Sequence, residues 1–192
     1  MIDATIRLAQ ADDALCIAVL GTQVFLDTYA TDGIRPSLAR EVLANFSVGA
    51  VSSLLADEST AFLLAEHGGH LIGYAQVRER HPHELLREDS AAELRRLYVQ
   101  ERFTGHGIGK LLLRESERFA ASRGAPLLWL TAWVGNARAL GFYPRQGYEE
   151  LGRTEYVFEG ERYENRLFGK RLHAVDDSTA DAGPAPRGNG AP

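Results

Sequence analysis

Apolar positions along the chain switch between the helical period and the alternation of a strand, and the switches divide it into elements. Thr5 to Leu8 reads as a short first strand. Ala11-Asp12-Asp13 then starts a helix with acids in its first turn, running to about Tyr29. Asp32-Gly33 breaks it, and Pro36, suited to a first helical position, opens a second helical stretch through Leu54 and Leu55 that Ser47 and Gly49 interrupt. Phe62 to Ala65 and Leu71 to Val77 are apolar arms around His67-Gly68-Gly69-His70, the pattern of a β-hairpin. Beyond a polar loop around Pro82, a strand from Glu93 to Val99 feeds a glycine-rich turn and a helix from Gly107 to about Ser122. Leu127 to Trp133 is a further apolar strand, and Asn136 caps a helix that ends at Gly147. Tyr148 to Phe158 and Arg162 to Phe168 form a last hairpin through Glu159-Gly160.

From about Ala174 the composition shifts to Asp, Ser, Ala, Gly and Pro without large apolar residues. Such a segment cannot bury enough to order itself, so residues 1–173 are expected to form one domain and 174–192 a disordered tail. At 192 residues and 45% hydrophobic content the chain has material for one sizeable core. A net charge of -5 gives no basic footprint for nucleic acid and favours a cationic small molecule. Cys16 excludes a disulfide within the chain, and its apolar neighbours predict a buried structural thiol. With no basic leader and no segment read as a membrane span, a cytoplasmic protein is expected, monomeric or homodimeric.

The chemistry concentrates in Leu97-Tyr98-Val99-Gln100-Glu101-Arg102-Phe103-Thr104-Gly105-His106-Gly107-Ile108-Gly109-Lys110. Glycines let backbone approach a ligand and adopt positive φ, and the free N–H groups of a helix's first turn attract an anion. The nucleotide-triphosphate loop does not fit, because only three residues separate Gly105 from Gly109 and Leu111 follows Lys110. The dinucleotide fingerprint fails too, with Leu112 where its third glycine belongs. The remaining reading is a pyrophosphate loop of an acyl-coenzyme A enzyme. No His, Cys, Asp and Glu cluster has metal-ligand spacing, and no Ser-His-Asp set can be argued from spacing.

This segment resembles the GNAT superfamily of N-acetyltransferases, whose hallmark is Gln/Arg-x-x-Gly-x-Gly/Ala after a Leu-Tyr-Val type strand. Thr104 departs from the opening Gln/Arg, which leaves the backbone cradle intact and removes one side-chain contact. Asn136-Ala137-Arg138-Ala139-Leu140-Gly141-Phe142-Tyr143-Pro144-Arg145-Gln146-Gly147-Tyr148 resembles the family's Asn-x-x-Ala-x-x-Phe-Tyr segment that closes the cofactor site. The resemblance implies an α/β GNAT fold, a mixed and mostly antiparallel sheet with helices on both faces. It also implies acetyl-CoA as cosubstrate. Leu97, Tyr98 and Val99 would hold pantetheine through backbone groups, Thr104, Gly105, His106, Gly107, Ile108, Gly109 and Lys110 the pyrophosphate, and Asn136, besides capping its helix, a further contact.

Forming an amide from a primary amine and a thioester poses two proton problems. Stripping an ammonium proton at pH 7 costs about 4–5 kcal/mol, so a base must receive it. Glu93 matches the family's glutamate, and strand alternation puts it on the face of Val99. It equally suits a structural pair with Arg95 or Arg96, and Glu79, His81 and His83 are alternative bases. The departing thiolate needs a donor, and Tyr143 matches the family's general-acid tyrosine. Pro144 is expected to distort the helical turn that carries it.

Three segments, around Phe25-Leu26-Asp27-Thr28-Tyr29, Glu93-Leu94-Arg95-Arg96 and Trp129-Leu130-Thr131-Ala132-Trp133, resemble the bacterial polyamine (spermidine/spermine) branch of the family. The acceptor it implies is a small polycationic amine attacking directly in a ternary complex, with Asp27, Tyr29 and Glu79 lining its cleft and Asp32, Glu88 and Asp89 nearby. The alternatives are acetylation of a protein or peptide amine, and a non-catalytic acyl-CoA-binding regulatory module.

Overall fold

Period and alternation translate into the elements of a computed structural model that describes residues 2–158 and 161–173. In order they are β1 (Thr5–Leu8), α1 (Ala14–Tyr29), α2 (Pro36–Phe46), α3 (Val48–Leu55), β2 (Thr60–His67), β3 (His70–Arg78), β4 (Ala92–Val99), α4 (Ile108–Ser122), β5 (Leu127–Trp133), α5 (Ala137–Arg145), β6 (Glu149–Phe158) and β7 (Glu161–Arg171). Short 3₁₀ turns at Ala11–Asp13 and Glu101–Phe103 precede α1 and α4. The expected tail and the Glu159-Gly160 turn lie outside the described residues.

The strands form one seven-stranded sheet in the order β1-β2-β3-β4-β5-β7-β6, antiparallel throughout except where β4 meets β5. Alternation then builds two cores. On one face Ala75, Val77, Leu94, Leu128 and Leu130 pack against Ile108, Leu112, Leu113 and Ala120 of α4 and Tyr143 of α5. On the other, Phe62, Leu64 and Tyr74 meet Ala14, Ile17, Ala18 and Leu20 of α1 and Val51 of α3. Each such aliphatic side chain contributes about 1.5–3 kcal/mol. Helices therefore cover both faces, as expected.

The interruption expected near Ser47 is a full break. Ser47 has extended geometry (φ -63, ψ 151) and caps α3 by accepting from the Ala50 amide at 3.3 Å. The twenty residues Pro36–Leu55 are apolar and long enough to cross a membrane by composition, contrary to the reading that no segment approaches a span. The break divides them into helices of 11 and 8 residues, each short of the ~20 that a span needs.

Cys16 corrects another expectation, since it is exposed. The apolar run around it is wider than the helix's inward stripe. Ile17, Ala18 and Leu20 take the core, leaving Leu15, Cys16 and Val19 outside. Gly21 lets α1 approach closely: a Cβ there would meet Phe46 of α2 at 2.5 Å and the Tyr74 hydroxyl at 2.7 Å.

Candidate active site

The sheet is split at its centre. β4 pairs with β5 only through Ala92 with Leu128 and Glu93 with Trp129, so beyond Glu93 the edge of β4 facing β5 is open. An extended ligand with amide groups fits such an edge as an added strand. Leu97, Tyr98 and Val99 lie on this open stretch, paired on their other side with Ala75, Tyr74 and Gly73.

Directly after it comes the glycine turn. Gly105 and Gly107 have φ of +78° and +87°, and a Cβ on either would meet nothing within 4 Å. Gly107 precedes α4 in left-handed geometry, and among the described residues no side chain caps the start of the helix. The first-turn amides from Ile108 to Lys110 are free to bind an anion, with the helix dipole behind them. His106 and Lys110 are exposed around this cradle. Thr104 faces inward to the chain, its hydroxyl donating to the Glu101 carbonyl at 2.8 Å. These features fit the pyrophosphate and pantetheine of acetyl-CoA, which supplies the activated acetyl group.

A bulge reorganises β4. Gln76 faces Arg96 while Val77 faces Leu94, so Arg95 is an extra residue without a β3 partner. Parity changes across it. Leu94, Leu97 and Val99 all face α4, whereas Glu93, Arg96 and Tyr98 share the opposite face with Arg78, Gln76 and Tyr74. The expected face-sharing of Glu93 with Val99 is therefore wrong, because unbroken alternation does not survive the inserted residue.

Glu93 is buried, with its carboxylate among cations. Oε1 accepts from Arg95 at 3.2 Å, while Oε2 is 3.5 Å from Arg78 and 3.6 Å from Nε2 of His81, with no hydrogen bond of its own among the described residues. The structural pair with Arg95 thus exists, yet one carboxylate oxygen retains its accepting capacity. His81 stands over Trp129, with ring centroids 6.1 Å apart, and Arg78 donates to its Nε2 at 3.2 Å. Burial pushes the His81 pKa below the ordinary histidine value, a push that the Glu93 charge opposes. His83 meets the edge of the same indole.

On the α1 and α2 side of the split lies a cavity of about 240 Å³, whose wall includes Arg95, the partner of Glu93, but not Glu93 itself. Phe25, Tyr29, Phe46, Tyr98, Trp133 and Tyr163 form much of its wall, with Arg35, Arg95, Arg96, Glu41, Asn45 and Asn165 as its charged and amide groups. Gly135 lets the Trp133 ring fold over the backbone, where a Cβ would collide with the indole. Arg96 stacks on Phe46, 4.8 Å from the centroid, and donates to Gln76 and to Asn45. Burial raises the Tyr29 and Tyr98 pKa values, and the positive charge of Arg96 and Arg95 opposes that rise.

Tyr143 projects from α5 on the other side. Its ring packs on Phe142, Tyr148 and Phe168, and burial pushes its phenol far up, with Tyr29 and Tyr98 adding to the shift. Pro144 is accommodated inside α5, which ends immediately afterwards. The Asn136 side chain accepts from the Ala139 amide at 3.0 Å and caps the helix.

Two acceptor-site expectations are corrected. Asp27 is on the exposed side of α1 and outside the cavity wall. Glu79 follows Arg78 on the α4 side of the sheet, where it pairs with Arg123 at 3.0 Å. Only Tyr29 of the three reaches the cavity. Arg96, Glu41, Asn45, Phe46, Tyr163 and Asn165 were missed, because they converge from α2, β4 and β7 and carry no local motif.

Split sheet, anion cradle and adjoining cavity define an acyl-coenzyme A-dependent transferase. A model of the Acetyltransferase (GNAT) family matches residues 27–148, and the chain belongs to this family as an acetyl-CoA-dependent N-acetyltransferase. An uncharacterized N-acetyltransferase of Mycobacterium tuberculosis is 30% identical over 128 residues, 67% of this chain and 77% of that protein. The spermidine N(1)-acetyltransferase of Thermoplasma acidophilum is 28% identical over 144 residues, covering 74% of this chain and 81% of that one. In fold, the chain is similar to the PaiA N-acetyltransferase of Thermoplasma acidophilum solved with coenzyme A. The TM-score is 0.70 at 20% identity, over 89% of this chain and all of the other.

Proposed function

We propose that the chain acetylates the primary amine of a small molecule held in the aromatic cavity, by direct attack in a ternary complex. The observation that carries this reading is the open edge of β4, which runs from the anion cradle past the cavity and the buried Glu93 carboxylate. Acetyl-CoA bound along that edge through Gly105 to Lys110 and Leu97 to Val99 presents its acetyl group to the acceptor. Glu93 takes the ammonium proton, directly or through water, on the oxygen that accepts no hydrogen bond. Tyr143 is protonated at neutral pH as an ordinary phenol is, and burial pushes its pKa further up, so it serves as a hydrogen-bond donor to the departing thiolate.

A polyamine acceptor is a second reading, supported by the similarity to the spermidine enzyme and by the Glu41 carboxylate in the cavity wall. Release of free thiol from acetyl-CoA over a panel of amines, amino acids and peptides tests the class. Tyr143→Phe is expected to lower kcat and kcat/KM alike by roughly 10²-fold, and Glu93→Gln to flatten the acid limb of kcat/KM. Wild-type kinetics in both variants would return the two residues to structural roles. Coenzyme A binding without turnover of any amine would favour a regulatory module instead.

A further inference from the structure

The cavity wall is cationic, whereas the chain as a whole has a net charge of -5. Arg95 is partly neutralised by Glu93, Arg35 donates to the Tyr163 hydroxyl at 3.0 Å, and Glu41 accepts from Asn45 and Tyr156, each at 3.0 Å. Arg96 differs from them. Half-buried, it engages an amide oxygen of Gln76, one of Asn45 and the face of Phe46, and no carboxylate pairs with it among the described residues. A guanidinium withdrawn from water without an anion is costly, and its planar fork matches a carboxylate. In the same wall, the buried Oδ1 of Asn165 accepts no hydrogen bond among the described residues. Among the described residues, a cation with only neutral partners and a neutral acceptor without a donor thus share one small aromatic cavity.

We propose that the acceptor is an amino-acid-like amine with an apolar or aromatic body, whose carboxylate pairs with Arg96 and whose N–H is received by Asn165. The proposal rests on the acetyltransferase reading and names its substrate class. The cavity's 240 Å³ lies just below the range of about 300–1,000 Å³ usual for small-molecule sites, and its aromatic walls suit a compact body. A free polyamine would bring its charges to a wall where Arg95 and Arg96 repel them. A peptide amine would leave Arg96 without its anion.

The test uses the full chain, acetyl-CoA and matched acceptors: phenylalanine, phenylalanine amide and spermidine. Phenylalanine is expected to exceed both others in kcat/KM by at least roughly tenfold, or about 1.4 kcal/mol. Arg96→Gln should erase that advantage through KM, bringing the kcat/KM ratio of phenylalanine to phenylalanine amide down to about one. Preference for the amide or for spermidine overturns the proposal, as does an Arg96→Gln loss common to all three. Calorimetric titration with 3-phenylpropionate, in the presence of coenzyme A, reads the anion site without turnover. Binding weakened by Arg96→Gln supports the proposal, and its absence in the wild type overturns it. Coenzyme A titrated alone separates the two levels: if it binds and the carboxylates do not, only the acceptor class is wrong, and if it fails to bind, the enzyme reading fails as well.

Discussion

Glu93 and His81 show how one site combines a packed interior with proton chemistry. Arg78 and Arg95 flank the Glu93 carboxylate at 3.5 and 3.2 Å, and burial, aided by the same arginines, holds the His81 pKa below the ordinary histidine value. The lowered His81 pKa has a consequence for stability. As pH falls below about 6.5 the unfolded chain binds a proton at His81 before the folded chain does. The contribution is therefore complete above that value and is lost as pH falls toward and through the folded pKa. Melting temperature is expected to decline on going from about pH 7.5 to about 5.5, and His81→Gln should make the decline shallower. Identical slopes for variant and wild type would mean that His81 titrates alike in both states.

At the scale of elements, the start of α4 offers an anion its backbone amides and helix dipole, with Lys110 as the charged side chain of its first turn. Gly107 is left-handed, so most side chains strain it, but Asn and Asp tolerate this geometry best. Gly107→Asp puts a carboxylate in the cradle, while Gly107→Asn matches it in shape and backbone cost. Acetyl-CoA affinity is expected to fall at least roughly tenfold further for Asp than for Asn. Calorimetric titration of the two folded variants checks this, and equal affinities would remove the pyrophosphate from the turn.

At the scale of the molecule, the cavity exists because α1 and α2 are drawn together over the split sheet. Phe46 is the hinge of that arrangement: it touches Gly21's open side, packs with Phe25 and Tyr98, and carries Arg96 on its face. Gly21→Ala forces the Phe46 ring or the helix to shift, at a cost of about 1–3 kcal/mol by overpacking. The expected kinetic signature is selective, with a raised acceptor KM and unchanged coenzyme A binding. Chemical denaturation and titration measure the two effects. Loss of coenzyme A binding in a folded variant would show that the two halves of the site are not independent.

Local signals were enough for much of this protein. Helical stripes, glycine turns and apolar arms are properties of neighbouring residues, so the order of elements, the break near Ser47, the cradle at Gly105 to Lys110 and the placement of Tyr143 on α5 were legible. Tertiary structure alone decided which side chains share a space. An inserted residue at Arg95 reverses strand parity and moves Glu93 away from Val99 to the side of the cavity. One step past the end of β3, Glu79 turns to the opposite face from Arg78. The cavity wall joins Phe46, Arg96, Trp133 and Asn165 from four separate elements. No local pattern records such a meeting, because it depends on how far the sheet opens and how closely two helices approach across it.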